Sequence, residues 1–325
     1  MILQRLFQMF GYRKSIFLAA FLAVFVFSGA ARSCKDAGAI HSVNIEGLYH
    51  PVPVGAEKVN FIVFGDQGTG EPDQYRVAKA MSSVCAEVGC QFALVLGDNF
   101  YPSGVTSVTD SQWQSAFEKP YASFGDFDFW AVPGNHDWLK STRSVQAEVE
   151  YSLKGQRWLM PSNHYAVLGL PEWLSIYGLD TDPMIASAAE RTKQASEAET
   201  ALCEKKGWKF LMGHHPLKSS GEHGPEAKIV SAIEPVMKKC GIQFYLSGHD
   251  HDQEHFDAGS YQAIVQGAGS QLRAIGHGDP GQVFGASTLG FALFEVTPLN
   301  LRMRFYDVDA KVIHDWSAVQ NDSAR

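Results

Sequence analysis

No run of lysine and arginine occurs anywhere in the 325 residues, and acidic side chains outnumber basic ones 35 to 27, for a formal net charge of −8. A protein that grips a phosphate backbone normally carries a basic patch, so nucleic acid is excluded as a partner. An anionic small substrate would have to be drawn in by a local positive source such as a bound metal ion. There is no internal repeat, no linker that divides the chain and no disordered composition. With 45% hydrophobic and 19% charged residues, the length fits one large globular domain or two small ones.

No apolar stretch reaches the ~20 residues of a membrane-spanning helix. The longest, Ile16 to Phe27, follows Arg5, Arg13 and Lys14 and precedes Ser28-Gly29-Ala30-Ala31. Positive, apolar, then small is the layout of a secretory signal peptide, expected over residues 1–31. An uncleaved anchor drawing on the earlier apolar residues is the alternative. Ala31-Arg32-Ser33 before Cys34 is a poor lipidation site. The chain is therefore expected to be exported, to the periplasm or outside the cell, with no membrane span once the signal is gone. Cysteine is sparse, five residues in all. In an exported chain Cys85 can pair with Cys90, and Cys203 with Cys240; small buried thiols are the other reading.

What the sequence does have is a repeated way of ending a strand. Phe92 to Leu96 is apolar and stops at Gly97-Asp98-Asn99-Phe100-Tyr101, a carboxylate followed three residues later by a phenol. Val59 to Phe64 stops at Gly65-Asp66, Phe127 to Val132 at Pro133-Gly134-Asn135-His136-Asp137, and Leu174 to Leu179 at Asp180-Thr181-Asp182. Trp208 to Met212 stops at Gly213-His214-His215, and Gln243 to Leu246 at Ser247-Gly248-His249-Asp250-His251. Helices are expected at 73–88, 113–117, 186–205 and 227–239, with strands alone after Tyr261. That order implies a mixed sheet layered with helices, an α/β (α+β layered) class, with the strand-end turns on one side.

Each turn alone has an ordinary explanation, since Gly-Asp and His-Asp-His also suit polar turns. Together, Asp66, Asp98, Tyr101, Asn135, His214, His249 and His251 form a mixed oxygen and nitrogen donor set without thiolate. That is enough for two ions sharing a carboxylate, and a phenolate suits ferric iron. His41, His164 and His314 stand alone and carry no assignment.

Five of these turns, those at Gly65-Asp66, Gly97-Asp98, Gly134-Asn135, Gly213-His214 and Gly248-His249, with Tyr101 in the second and Glu222-His223-Gly224-Pro225 after the fourth, resemble the ordered motifs of the metallophosphoesterases, and within them the small tartrate-resistant purple acid phosphatases. The resemblance covers roughly 59–274. It implies a calcineurin-like β-sandwich of mixed sheets flanked by helices, one catalytic domain over 57–318. It implies Fe(3+) held by Asp66, Tyr101 and His251, and a divalent ion (Fe2+, Zn2+ or Mn2+) held by Asn135, His214 and His249, with Asp98 bridging. His136 and His223 would contact substrate phosphate, and a metal-bound hydroxide would attack phosphorus. The implied activity is hydrolysis of phosphate monoesters, on small molecules or phosphoproteins, by a monomer. Phosphodiesters or pyrophosphate, and a non-catalytic metal- or phosphate-binding protein, are the alternatives. Two departures stand out: Gln67 replaces the family's usual tryptophan, and the stretch between Asp180 and His214 is too short for the restraining loop of mammalian members.

Overall fold

The computed structural model describes residues 39–155, 157–276 and 280–320; the expected signal segment and Cys34 lie outside them. In chain order the strands are β1 Val59–Phe64, β2 Phe92–Val95, β3 Asp128–Ala131, β4 Trp158–Leu159, β5 Tyr165–Ala166, β6 Leu174–Gly178 and β7 Trp208–Met212. They continue with β8 Phe244–Ser247, β9 Gln253–Asp257, β10 Gln262–Gln266, β11 Gln282–Ala286, β12 Gly290–Val296, β13 Asn300–Asp307 and β14 Val312–Val319. The helices are α1 Pro72–Val88, α2 Asn135–Trp138, α3 Thr142–Tyr151, α4 Thr181–Ala186, α5 Ala188–Leu202 and α6 Ala227–Cys240.

Two sheets result. One runs β14-β13-β12-β1-β2-β3-β4, the other β11-β9-β10-β8-β7-β6-β5. Within each the centre is parallel, β1 to β4 in the first and β6 to β8 with β10 in the second, and antiparallel strands complete the flanks. Continuous apolar strands such as Val59–Phe64, buried at every position, are what a sheet covered on both faces requires. Between the sheets lies an aromatic stack. Phe61 stacks on Phe294 at 5.1 Å and meets Phe210 of the other sheet edge-on at 5.5 Å, while Phe244 meets Phe294 at 5.7 Å. Each such ring contributes about 2–3 kcal/mol of burial. On the outer side of the second sheet, α5 and α6 bury Ala198, Leu202, Ile229, Ile233 and Met237 with Leu211 and Tyr245.

Both candidate disulfides are present, Cys85–Cys90 and Cys203–Cys240. The second closes a separation of 37 residues and ties the ends of α5 and α6; chain-entropy reasoning gives such a loop about 4 kcal/mol.

The helix expected over 186–205 is α5, and a short helix that was not expected, α4, precedes it. Ser187 separates the two and caps α5, its Oγ accepting from the Glu190 amide. Trp113–Glu118 is a π-helical turn, and α3, β4 and β5 arise where no element was expected.

Candidate metal centre

The expected site residues gather at the C-terminal ends of β1, β2, β3, β7 and β8, along the seam where the two sheets meet. Hydrogen bonds cross that seam: the His249 amide donates to Asp66 Oδ2 at 2.9 Å, and His214 Nδ1 donates to the Leu96 carbonyl at 2.9 Å. The chain must turn sharply to present these side chains. Asp66, Asp98 and His249 all sit in the left-handed region, with φ of 57°, 51° and 71°. Such a conformation is disfavoured by about 1 kcal/mol or more for a residue with a Cβ, and it collects at functional sites. Ala310 is the one other described non-glycine residue with this conformation. Backbone also approaches side chain closely here. A Cβ on Gly248 would lie 2.3 Å from Asp66 Oδ2, so only glycine fits.

Asp66, Asp98 and His214 are buried, and one ligand atom of each lies within 4.8 Å of the others. Around Tyr101 the hydroxyl is 3.1 Å from Asp66 Oδ1, 2.8 Å from Asp98 Oδ2 and 3.2 Å from His251 Nε2. Around His214, Nε2 is 3.0 Å from Asn135 Oδ1, 3.1 Å from His249 Nδ1 and 3.4 Å from Asp98 Oδ1. Asp98 thus turns one oxygen to each group. The tautomer of His214 follows from its neighbours: Nδ1 carries the proton given to Leu96, so Nε2 offers a lone pair inward.

Among the described residues no lysine or arginine pairs with Asp66 or Asp98. Around Tyr101 a single phenolic proton serves two carboxylates and an imidazole nitrogen. Acceptors packed this closely in a buried place demand a cation, and a set of carboxylate, amide, imidazole and phenol fits one. Burial, and then the Asp66 and Asp98 carboxylates, push the Tyr101 phenol well above its usual range. At His214 burial pulls the pKa down, but Asp98, Asp66, the Leu96 carbonyl and Asp137 together raise it. His249 is driven far down by burial and by the surrounding histidines, so its ring is neutral and free to bind.

His136 and His223 stand at the mouth. His136 Nδ1 meets the Pro102 carbonyl at 2.8 Å, leaving Nε2 turned inward, 3.9 Å from Asp98 Oδ2. The ring of His223 stacks on that of His249 with centroids 4.3 Å apart.

Several residues that the sequence left unassigned hold this arrangement. Asp137 accepts from the amides of Asn99, Phe100 and Gly134, tying the turn after β2 to the turn after β3. Burial and the nearby Asp98 push its pKa up to about 8, against the pull of the Gly134 and Asn99 amides. Asp250 accepts from the amides of His223 and Gly224, which pins the His223 loop. His215 packs behind His249 and bonds Thr181 Oγ1 at 2.8 Å. Asp180 gives its oxygens to Trp138 and Asn163, a structural role. Arg273 bonds His223 Nε2.

Residues 59–253 match the profile of the family described as "Calcineurin-like phosphoesterase". The tartrate-resistant acid phosphatase type 5 of Oryctolagus cuniculus is 30% identical over 291 residues, covering 78% of this chain and 88% of that protein. Purple acid phosphatase 7 of Arabidopsis thaliana is 27% identical over 321 residues, covering 90% and 93%. Among solved structures, a purple acid phosphatase from yellow lupin (Lupinus luteus) seeds superposes with a TM-score of 0.68 at 14% identity, covering 84% of this chain and 56% of that one.

Proposed function

Because the chain belongs to the calcineurin-like phosphoesterase family, on the side of the tartrate-resistant and purple acid phosphatases, we propose that it is an exported acid phosphatase hydrolysing phosphate monoesters at a binuclear Fe(III)–M(II) centre. The observation that carries the reading is the divided environment of Asp98, one oxygen toward Tyr101 and the other toward His214. In this reading Asp66, Tyr101 and His251 hold the ferric ion, and Asn135, His214 and His249 hold the divalent ion (iron, zinc or manganese). Bound there, the ions supply Lewis acidity toward phosphoryl oxygens and lower the pKa of the attacking water.

The chain's own residues do the rest. His136 Nδ1 is committed to the Pro102 carbonyl, so in its imidazolium form the proton it can give lies on Nε2, the atom turned to the site. That is the proton a departing alkoxide needs at mildly acid pH. His223, held flat on His249 and fixed by Asp250, is positioned to meet a phosphoryl oxygen. Residues 57–318 act as one catalytic domain and the enzyme as a monomer. The two disulfides suit an oxidising compartment outside the cytosol.

The test is a visible absorption spectrum with metal analysis on one purified sample, followed by turnover of nitrophenyl phosphate and bis-nitrophenyl phosphate. A broad visible band, iron either alone or with zinc or manganese, and faster monoester turnover are expected. A colourless zinc or manganese protein would sink the iron assignment, faster diester turnover would sink the monoester assignment, and a metal-loaded but inert protein would sink both.

A further inference from the structure

We propose that Arg273 is a phosphate-binding residue of this site, which leaves His223 to grip the phosphoryl group of the substrate when it arrives. The proposal rests on the phosphatase reading above and adds to it a residue that none of the five motifs contains.

Three observations carry it. First, Arg273 is the one cation among the described residues that is hydrogen-bonded to any residue of the site, through Nη1 to His223 Nε2. Second, its backbone is fixed at both ends: its amide donates to the His251 carbonyl at 3.0 Å, and Ser287 Oγ donates to the Arg273 carbonyl at 2.5 Å. The guanidinium is therefore delivered from a stationary base, next to a donor residue of the centre. Third, its remaining N–H donors have no hydrogen-bond partner among the described residues; the nearest anion is the exposed Glu222 carboxylate at 3.7 Å, and the side chain is 31% exposed.

The energetics favour transfer. A single imidazole nitrogen and a distant, solvated carboxylate are weak partners for a guanidinium, whose planar fork matches phosphate oxygens two at a time. A chain of net charge −8 offers little long-range attraction to a phosphate ester. A cation at the mouth, beside His223 where it stacks on His249, supplies it locally. Turning Arg273 toward phosphate also releases His223 Nε2 from the guanidinium, so both side chains can turn to the same anion in one rotamer change.

The experiment uses the metal-loaded full chain. Binding of inorganic phosphate is measured by isothermal titration calorimetry, and kcat and KM for nitrophenyl phosphate are measured alongside, in the wild type, Arg273→Ala and Arg273→Lys. The expected result for Arg273→Ala is phosphate affinity weakened about tenfold and KM raised similarly, with kcat changed less and metal content unchanged. Arg273→Lys should recover part of the affinity. If phosphate affinity and KM are unchanged while the wild type is active, the proposal is overturned and the phosphatase reading stands. A fall in kcat alone would also overturn it, because that would make Arg273 only an orienter of His223. A wild type that neither binds phosphate nor hydrolyses the ester would remove both readings together.

Discussion

Asp137→Asn is the perturbation whose size can be worked most directly from the structure. The carboxylate is fully buried and its neighbours are donors: Oδ1 takes the amides of Asn99 and Phe100 at 3.1 and 3.2 Å, and Oδ2 takes those of Asn99 and Gly134 at 3.1 and 2.8 Å. An amide of the same shape keeps one oxygen. Placed to serve Asn99 and Phe100, it turns its NH2 against the Gly134 amide; flipped, it serves Asn99 and Gly134 and turns its NH2 against the Phe100 amide. At least one buried N–H loses its acceptor either way, which costs about 1–3 kcal/mol. Against a total stability of about 5–15 kcal/mol the variant still folds. Gly134 precedes Asn135, and its close approach to Asp98 leaves no room for slack, since a Cβ there would lie 2.3 Å from Asp98 Oδ1. Metal affinity should therefore fall about tenfold or more, as for other residues that orient ligands without touching the ion. Urea denaturation of the chelator-treated protein measures the first effect, and titration of metal into the same preparation measures the second. A variant with the wild-type midpoint and wild-type metal affinity would refute the claim that Asp137 joins the two turns.

Two further predictions concern groups of different kinds. Tyr101→Phe removes the hydroxyl shared by Asp66, Asp98 and His251, so the iron-loaded variant should lose the visible band and bind ferric iron more weakly; a retained band would show that the iron is bound without this phenol. His255 is buried, with Nε2 bonded to Gln262 and Nδ1 to His314; burial, reinforced by His314 and opposed by Gln262 and Asp257, pushes it down to about 4. Unfolded histidine takes up a proton near pH 6.5. Its contribution is thus fully present above pH 6.5 and is lost as pH falls toward 4, a difference of roughly 3 kcal/mol. His255→Gln should flatten the dependence of the urea midpoint on pH between 7 and 4, and an unchanged slope would place the acid sensitivity elsewhere.

The strand ends that carry Asp66, Asp98, His214 and His249 are legible in sequence because short apolar runs closed by glycine specify both the buried strand and the place where it must stop. The start of α5 is legible there too, as Ser187-Ala188-Ala189-Glu190, a capping pattern at the head of a run of good helix formers. Helix α3 is less visible because it buries Ser144 and Glu148 beside Val145 and Val149, which blurs its apolar face. The roles of Asp137 and Asp250 lie in what their carboxylates accept, and no local pattern distinguishes that from a turn. His314 has no partner within its own strand; it meets His255 only when the two sheets close. Arg273 lies in a loop after β10 with no periodicity, so only its proximity to His223 reveals it.

The site belongs to neither sheet. Asp66, Asp98 and Asn135 follow strands of one layer, and His214, His249 and His251 follow strands of the other. No half of the sandwich can hold a partial centre in waiting, so completing the core and completing the centre are one cooperative event. An ion bound across the join acts as a clasp on the layers: at a free concentration a thousand times its Kd it would add about 4 kcal/mol to the stability of the whole sandwich. By the same coupling, any loosening around Phe61 and Phe210, far from the chemistry, would be felt first as a change in the spacing of the metal ligands.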